Sequence, residues 1–298
     1  MIAYLFPGQG SQYVGMGKGV LKYKEAEEVF AEASDTLMYD VKGLCLEGLL
    51  DKLSLTEYSQ PTILTVSIAY LRSLPYLFDG NPSYCAGHSL GEYSALVACS
   101  SLSFSQTLRI VQRRANLMKE AALKNPGGMS AILGLQIEAV EGIAKDSICE
   151  IANINSETQI VISGRLEALS LAEVLAKERG GKAIRLKTSG AFHSSLMKEV
   201  EIGMAEVLTN EKIEPPRLKF IPNILAEPMD NPNVIKDCLI RQVSNRVRWE
   251  ETMRFLEKEG VERVIEIGPG NVLSNLAKKK GISAIAFEEM VKLKEERF

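Results

Sequence analysis

The 298-residue sequence has only two histidines, His88 and His193, and one tryptophan. A metal site built from several imidazoles is therefore excluded by count, and any reaction that needs an imidazole must draw on these two. Five cysteines (Cys45, Cys85, Cys99, Cys149, Cys238) are odd in number and widely spaced, with no C-x-x-C pair. That pattern supports neither a disulfide framework nor a zinc ribbon and predicts reduced thiols in a cytoplasmic protein. Basic excess is missing too: 35 Lys+Arg against 38 Asp+Glu give a net charge of −3, so no nucleic-acid footprint is expected. Nor is there a long apolar run. Pro61 to Phe78 is interrupted by Arg72 and Pro75, too short to span a bilayer. The N-terminal Met1-Ile-Ala-Tyr-Leu-Phe-Pro7 lacks the basic start of a signal peptide and reads as a strand.

With 46% hydrophobic and 24% charged residues, the chain is of ordinary globular composition and long enough for a large core. Ile2–Phe6 is a short strand entering the loop Pro7-Gly-Gln-Gly-Ser-Gln12, and Tyr84–Ala86 is a second strand that runs directly into Gly87-His-Ser-Leu-Gly91. Helices are predicted over Lys22–Leu37, Gln60–Leu74, Glu92–Cys99 and Phe104–Leu123, the last with Leu108, Val111, Ala115 and Met118 on one face. After the break at Asn125-Pro-Gly-Gly128 the rhythm becomes β-α-β-β-α-β up to Leu186, which predicts a ferredoxin-like unit. We therefore expect an inserted small domain at 127–187 within a large domain formed by 1–126 and 188–298. In the second part of that domain, a helix over Ser194–Leu208, a strand over Phe220–Asn223, a helix over Trp249–Glu259 and a strand over Val264–Ile267 are predicted. Lys278–Lys280 and the charged tail from Glu288 read as solvated surface.

Gly87-His-Ser-Leu-Gly91 fits the G-x-S-x-G elbow, in the strand–turn–helix setting the motif requires. Alone it is a weak signal, since a chain of this length has roughly a one in ten chance of an accidental match. If Ser89 is a nucleophile it needs a base. His88 adjoins it in a tight turn, with its side chain expected to point elsewhere, which leaves His193. No aspartate stands out as a third member, so a backbone carbonyl or a neutral side chain is expected to orient the imidazole.

Several further motifs occur in order: Phe6-Pro-Gly-Gln-Gly-Ser-Gln12, Gly87-His-Ser-Leu-Gly-Glu92, Arg114 ahead of Leu117-Met118, Asn153 and Asn155 before Val161-Ile-Ser-Gly164, Gly190-Ala-Phe-His193, Gln242 ahead of Val247-Arg-Trp249, and Glu266-Ile-Gly-Pro-Gly270. Together they resemble the malonyl-CoA:acyl-carrier-protein transacylases of fatty-acid and polyketide synthesis along essentially the whole chain. The resemblance implies an α/β-hydrolase-like core with a parallel sheet, carrying the ferredoxin-like insertion. It implies Ser89 as the nucleophile that accepts the malonyl group, His193 as its base, and Gln242 as the residue whose backbone carbonyl orients His193. The N–H groups of Gln9 and Leu90 would form the oxyanion hole. Arg114 would hold the free malonyl carboxylate, a task suited to a planar guanidinium, and Phe192 would leave little room for an α-methyl group. Malonyl-CoA and an acyl carrier protein are the implied partners, CoA entering as substrate, and no cofactor or metal is implied. A monomer is expected, independent of membrane. Two departures, Cys99-Ser-Ser101 and Phe220-Ile-Pro-Asn223, hint at a specialised branch such as a freestanding enzyme serving a polyketide synthase. The alternatives are an acyl hydrolase on the same scaffold, clearing acyl groups from carrier proteins, and a non-catalytic docking module.

Overall fold

In the computed structural model, which describes residues 1–296, two sheets organise the chain. Strands β1 (Ile2–Phe6), β2 (Tyr84–Gly87), β7 (Lys219–Ile221), β8 (Arg263–Glu266) and β9 (Ser283–Ala286) form one sheet in the order β7-β2-β1-β8-β9. Every pairing in it is parallel. The central strands are apolar on both faces, as a parallel sheet covered by helices requires. In register, Phe6 sits beside Gly87, so the loops leaving β1 and β2 emerge together at the carboxyl edge. Crevices at such edges are where open α/β sheets bind ligands.

The second sheet holds β3 (Gly128–Leu133), β4 (Glu150–Ser156), β5 (Gln159–Gly164) and β6 (Lys182–Arg185), antiparallel in the order β4-β5-β3-β6. Helices Ile137–Ser147 and Leu166–Glu178 fall between its strands in sequence, the expected β-α-β-β-α-β. Alternation divides its side chains. Ile132, Ile151, Ile160 and Ile162 pack with these two helices, whereas Met129, Ala131, Ala152 and Val161 join the main core. A backbone link ties this sheet to the other part of the chain: Ile154 N donates to Val247 O (2.9 Å) and Val247 N to Ala152 O (2.8 Å).

The helix bearing Arg114, Phe104–Lys124, starts where expected, at a capping box made by Ser103 and Gln106. Its partner begins at Thr56, one turn before the expected Gln60, and runs to Ser73 with Pro61 inside it. Proline has no N–H for the carbonyl four residues earlier. That carbonyl, of Glu57, instead accepts from Gln112 Nε2 at 3.1 Å, so the neighbouring helix supplies the missing donor.

The C-terminal region departs from the solvated reading. Phe287–Glu295 is a helix whose Phe287 stacks on Tyr70 (centroids 4.4 Å apart), and Glu288 Oε1 accepts from the Tyr13 and Tyr70 hydroxyls. Lys280 is mostly buried between Glu157 and Glu250. The expected helix over Ser194–Leu208 opens with a 3₁₀ turn, Ser195–Met197, before continuing from Lys198 to Thr209. Among the described residues, no helix is long and apolar enough to cross a membrane.

Three glycines set the approach of the two loops. A Cβ on Gly91 would lie 2.0 Å from the Phe6 carbonyl oxygen, one on Gly8 would lie 2.4 Å from that of His88, and one on Gly87 would lie 1.9 Å from the Gly91 carbonyl carbon. All three clashes are with backbone, which cannot yield as a side chain would. Gly91→Ala is therefore expected to lower stability by about 3 kcal/mol. An unchanged urea midpoint would show that the strand–helix junction has slack.

Candidate active site

The elbow between β2 and the helix Gly91–Ala98 places Ser89 at φ 50°, a left-handed conformation rare outside glycine. Asn223 holds it there. Its Oδ1 accepts from Ser89 N (2.7 Å) while its Nδ2 donates to Gly87 O (2.6 Å), so one side chain spans both ends of the turn. The Ser89 hydroxyl thereby projects from the carboxyl edge of the sheet, beyond the start of a helix whose N–H groups favour negative charge.

His193 meets that hydroxyl: its Nε2 lies 2.8 Å from Ser89 Oγ. The residue is buried and also left-handed, at φ 58°. Its Nδ1 lies 2.9 Å from the Gln242 carbonyl oxygen and 3.1 Å from that of Asn245. Two carbonyls can only accept, so Nδ1 carries the ring proton and Nε2 presents its lone pair to Ser89. Among the described residues no carboxylate takes part. Burial, reinforced by the nearby Arg114 cation, pushes the His193 pKa down to about 3, so the ring is neutral and able to take a proton at physiological pH.

Arg114 is buried, 1% exposed, with its head beside the Ser89 hydroxyl. Nη2 donates to Ser89 Oγ (3.1 Å) and to Gln242 Oε1 (2.7 Å), and Nη1 donates to Gln60 Oε1 (2.7 Å). Its hydrogen-bond partners are all neutral, and Nε has no partner among the described residues. A buried cation held by neutral oxygens is a strong potential anion site, because the desolvation cost is met without full neutralisation.

One cavity of about 110 Å³ is lined by Gln9, Ser89, Leu90, Arg114, Phe192 and His193 among others. The structure thus brings these six together, and Gln242 lies buried behind them. Among the described residues, the backbone N–H groups of Gln9 and Leu90 have no hydrogen-bond partner. His88 turns its Nε2 to Asn155 Oδ1 (2.8 Å) and leans on Trp249, away from the Ser89 hydroxyl, although it also borders the cavity. Among the described residues no group of three His, Cys, Asp or Glu side chains is arranged to hold a metal ion.

Comparison with known proteins decides the family. The acyl transferase domain family matches residues 3–292. This chain belongs to that acyl transferase family. The malonyl CoA-acyl carrier protein transacylase of Bacillus subtilis strain 168 is 44% identical over 286 residues, covering 93% of this chain and 90% of the relative. An acyl-carrier-protein S-malonyltransferase structure from Burkholderia pseudomallei superposes with a TM-score of 0.93 at 37% identity, covering 98% of this chain and 99% of that one. A malonyl-transacylase solved in complex with its type II polyketide synthase acyl-carrier protein superposes at 0.91 with 38% identity, covering 96% and 95%.

In this acyl transferase, four residues that the motifs did not assign complete the surroundings of the serine. Gln60 and Asn245 contact Arg114 and His193, Asn223 braces the elbow, and the buried Glu92 carboxylate accepts from Gln242 Nε2 (2.6 Å) and from the Asn223 backbone N–H. Glu92 and Asn223 stand in segments already singled out, but their partnership joins positions 131 residues apart. Nothing in local spacing reports such a contact.

Proposed function

We propose that this acyl transferase moves a malonyl group from CoA to the phosphopantetheine thiol of an acyl carrier protein through a Ser89 acyl-enzyme. The observation that carries the reading is Arg114. A buried guanidinium with neutral partners, 3.1 Å from the Ser89 hydroxyl, is matched to an acyl group that ends in a second carboxylate. The resemblance to transacylases, one of them solved with its carrier protein, supports the same substrate class.

In the first half-reaction Ser89 Oγ attacks the thioester carbonyl as its proton passes to His193 Nε2. The Gln242 and Asn245 carbonyls stabilise the imidazolium through Nδ1–H. The tetrahedral oxyanion is taken by the free N–H groups of Gln9 and Leu90. Collapse breaks the C–S bond, and His193 returns the proton to the departing CoA sulfur. In the second half the carrier thiol gives its proton to His193 and attacks the Ser89 ester carbonyl, forming the new C–S bond; the ester C–O bond breaks and His193 returns the proton to Ser89 Oγ. The result is a ping-pong exchange. Phe192, buried against the cavity, limits space beside the malonyl methylene. We propose that the enzyme works as a cytoplasmic monomer without metal or organic cofactor.

Incubation with malonyl-CoA and holo carrier protein, followed by mass spectrometry, tests this reading. Malonyl-carrier protein is the expected main product. Free malonate as the dominant product would overturn transfer in favour of hydrolysis, since only the acceptor differs between the two.

A further inference from the structure

Glu92 has no part in the chemistry above, yet it is a fully buried carboxyl group beside the most charged part of the site. Its Oε2 accepts from Gln242 Nε2 at 2.6 Å and its Oε1 from the Asn223 backbone N–H. Both neighbours are donors, so this position demands two acceptors, which a carboxylate supplies and a carboxamide does not. The consequence passes to Gln242. With its Nε2 committed to Glu92 and to Ser89 O (2.9 Å), the amide must present Oε1 on its other side, where Arg114 Nη2 donates at 2.7 Å. If the amide turned over, Nε2 would face the guanidinium, donor against donor.

We propose that Glu92 is a positioning residue for acyl-group selection: it fixes the orientation of the Gln242 amide, and the amide oxygen fixes the Arg114 guanidinium that receives the substrate's carboxylate. The Glu92 side chain is not among the residues lining the cavity and makes no hydrogen bond to Ser89 Oγ. Its effect belongs to discrimination between malonyl and uncharged acyl groups. The inference rests on the malonyl-transfer reading.

Protonation of Glu92 has the same consequence as a carboxamide, because one oxygen then becomes a donor facing donors. Burial pushes its pKa up to about 8, against the lowering effect of the Asn223 and Gln242 hydrogen bonds and of Arg114. The other charged or titratable groups facing it are Arg114 from the helix Phe104–Lys124, Tyr93 on its own helix, and Cys238 from the helix Pro232–Arg241. Burial raises Tyr93 well above its ordinary value and Cys238 to about 12, and Arg114 remains a cation. None of these three changes charge between pH 6.5 and 9. Selectivity is therefore present when Glu92 is ionised and is lost as pH falls through its pKa.

Two measurements test the proposal, both reading the ratio of kcat/KM for malonyl-CoA to that for acetyl-CoA. In Glu92→Gln the ratio is expected to fall about tenfold or more, the cost of one buried unmatched donor. Equal loss toward both substrates would overturn the proposal and leave Glu92 a purely structural residue. In the unmodified enzyme, between pH 6.5 and 9, the ratio is expected to rise with pH, and to lose that slope in Glu92→Gln. A flat ratio in the unmodified enzyme overturns the proposal whether or not the variant folds. Absence of malonyl transfer in the unmodified enzyme is a different outcome, which would sink the functional reading together with this one.

Discussion

Ser89→Ala is expected to reduce malonyl transfer by about four to six orders of magnitude and to abolish the malonylated protein seen by intact mass. The size of the effect follows from the mechanism having one covalent station. His193 Nε2 and Arg114 Nη2 both converge on the Oγ that the substitution removes, at 2.8 and 3.1 Å. The fold should be little disturbed. Alanine is no more strained than serine at φ 50°, and the Asn223 bonds to Ser89 N and Gly87 O do not involve the hydroxyl. Arg114 keeps its Gln60 and Gln242 partners. Loss of turnover with an unchanged melting temperature would thus report chemistry alone. If the variant still acquired a malonyl group from malonyl-CoA and passed it on, Ser89 would not be the nucleophile.

What was legible in the sequence divides along the range of the interactions. The elbow is local: Gly87, Ser89 and Gly91 lie within five residues, and the steric need for glycine at both ends is met by the adjoining strand and helix. Elimination among two histidines reached His193, and the β-α-β-β-α-β rhythm gave the antiparallel sheet because each of its elements carries its own period. Pro61 concealed the first turn of its helix, since the carbonyl it orphans is satisfied by Gln112, a residue 55 positions away. The C-terminal helix from Phe287 looked solvated because its charges outnumber its apolar residues. Only the folded chain shows Phe287 against Tyr70 and Glu288 bridging two tyrosines. Around the serine the division is the same. A missing aspartate could be noted from sequence, and the family resemblance put the Gln242 carbonyl in its place, but the second carbonyl, of Asn245, cannot be read from side-chain identity, since every residue has a carbonyl. Gln60, Asn223 and Glu92 are likewise ordinary polar residues until the fold brings them together.

Arg114→Ala is expected to lower kcat/KM for malonyl-CoA by roughly two to three orders of magnitude, corresponding to about 3–4 kcal/mol for a lost buried ion pair, while the value for acetyl-CoA changes far less. The asymmetry is the point of the experiment. A monoacyl thioester has no carboxylate to present, so for that substrate the guanidinium is a desolvated cation without an anionic partner, and removing it forfeits little. Stability must be followed alongside, because the substitution also strands the Gln60 and Gln242 side-chain oxygens, each worth about 1–3 kcal/mol when buried without a donor. Taking the ratio of the two substrates cancels any shared loss of folded enzyme. Arg114→Lys sharpens the test. An ammonium keeps the charge but is a single point, whereas the guanidinium uses Nη1 for Gln60 and Nη2 for Gln242 and Ser89 in one rigid plane. The lysine variant should therefore remain well below the unmodified enzyme toward malonyl-CoA. If both variants kept the malonyl preference, the carboxylate would be bound elsewhere in the cavity, and Arg114 would serve only to hold Gln60, Gln242 and the serine hydroxyl in place.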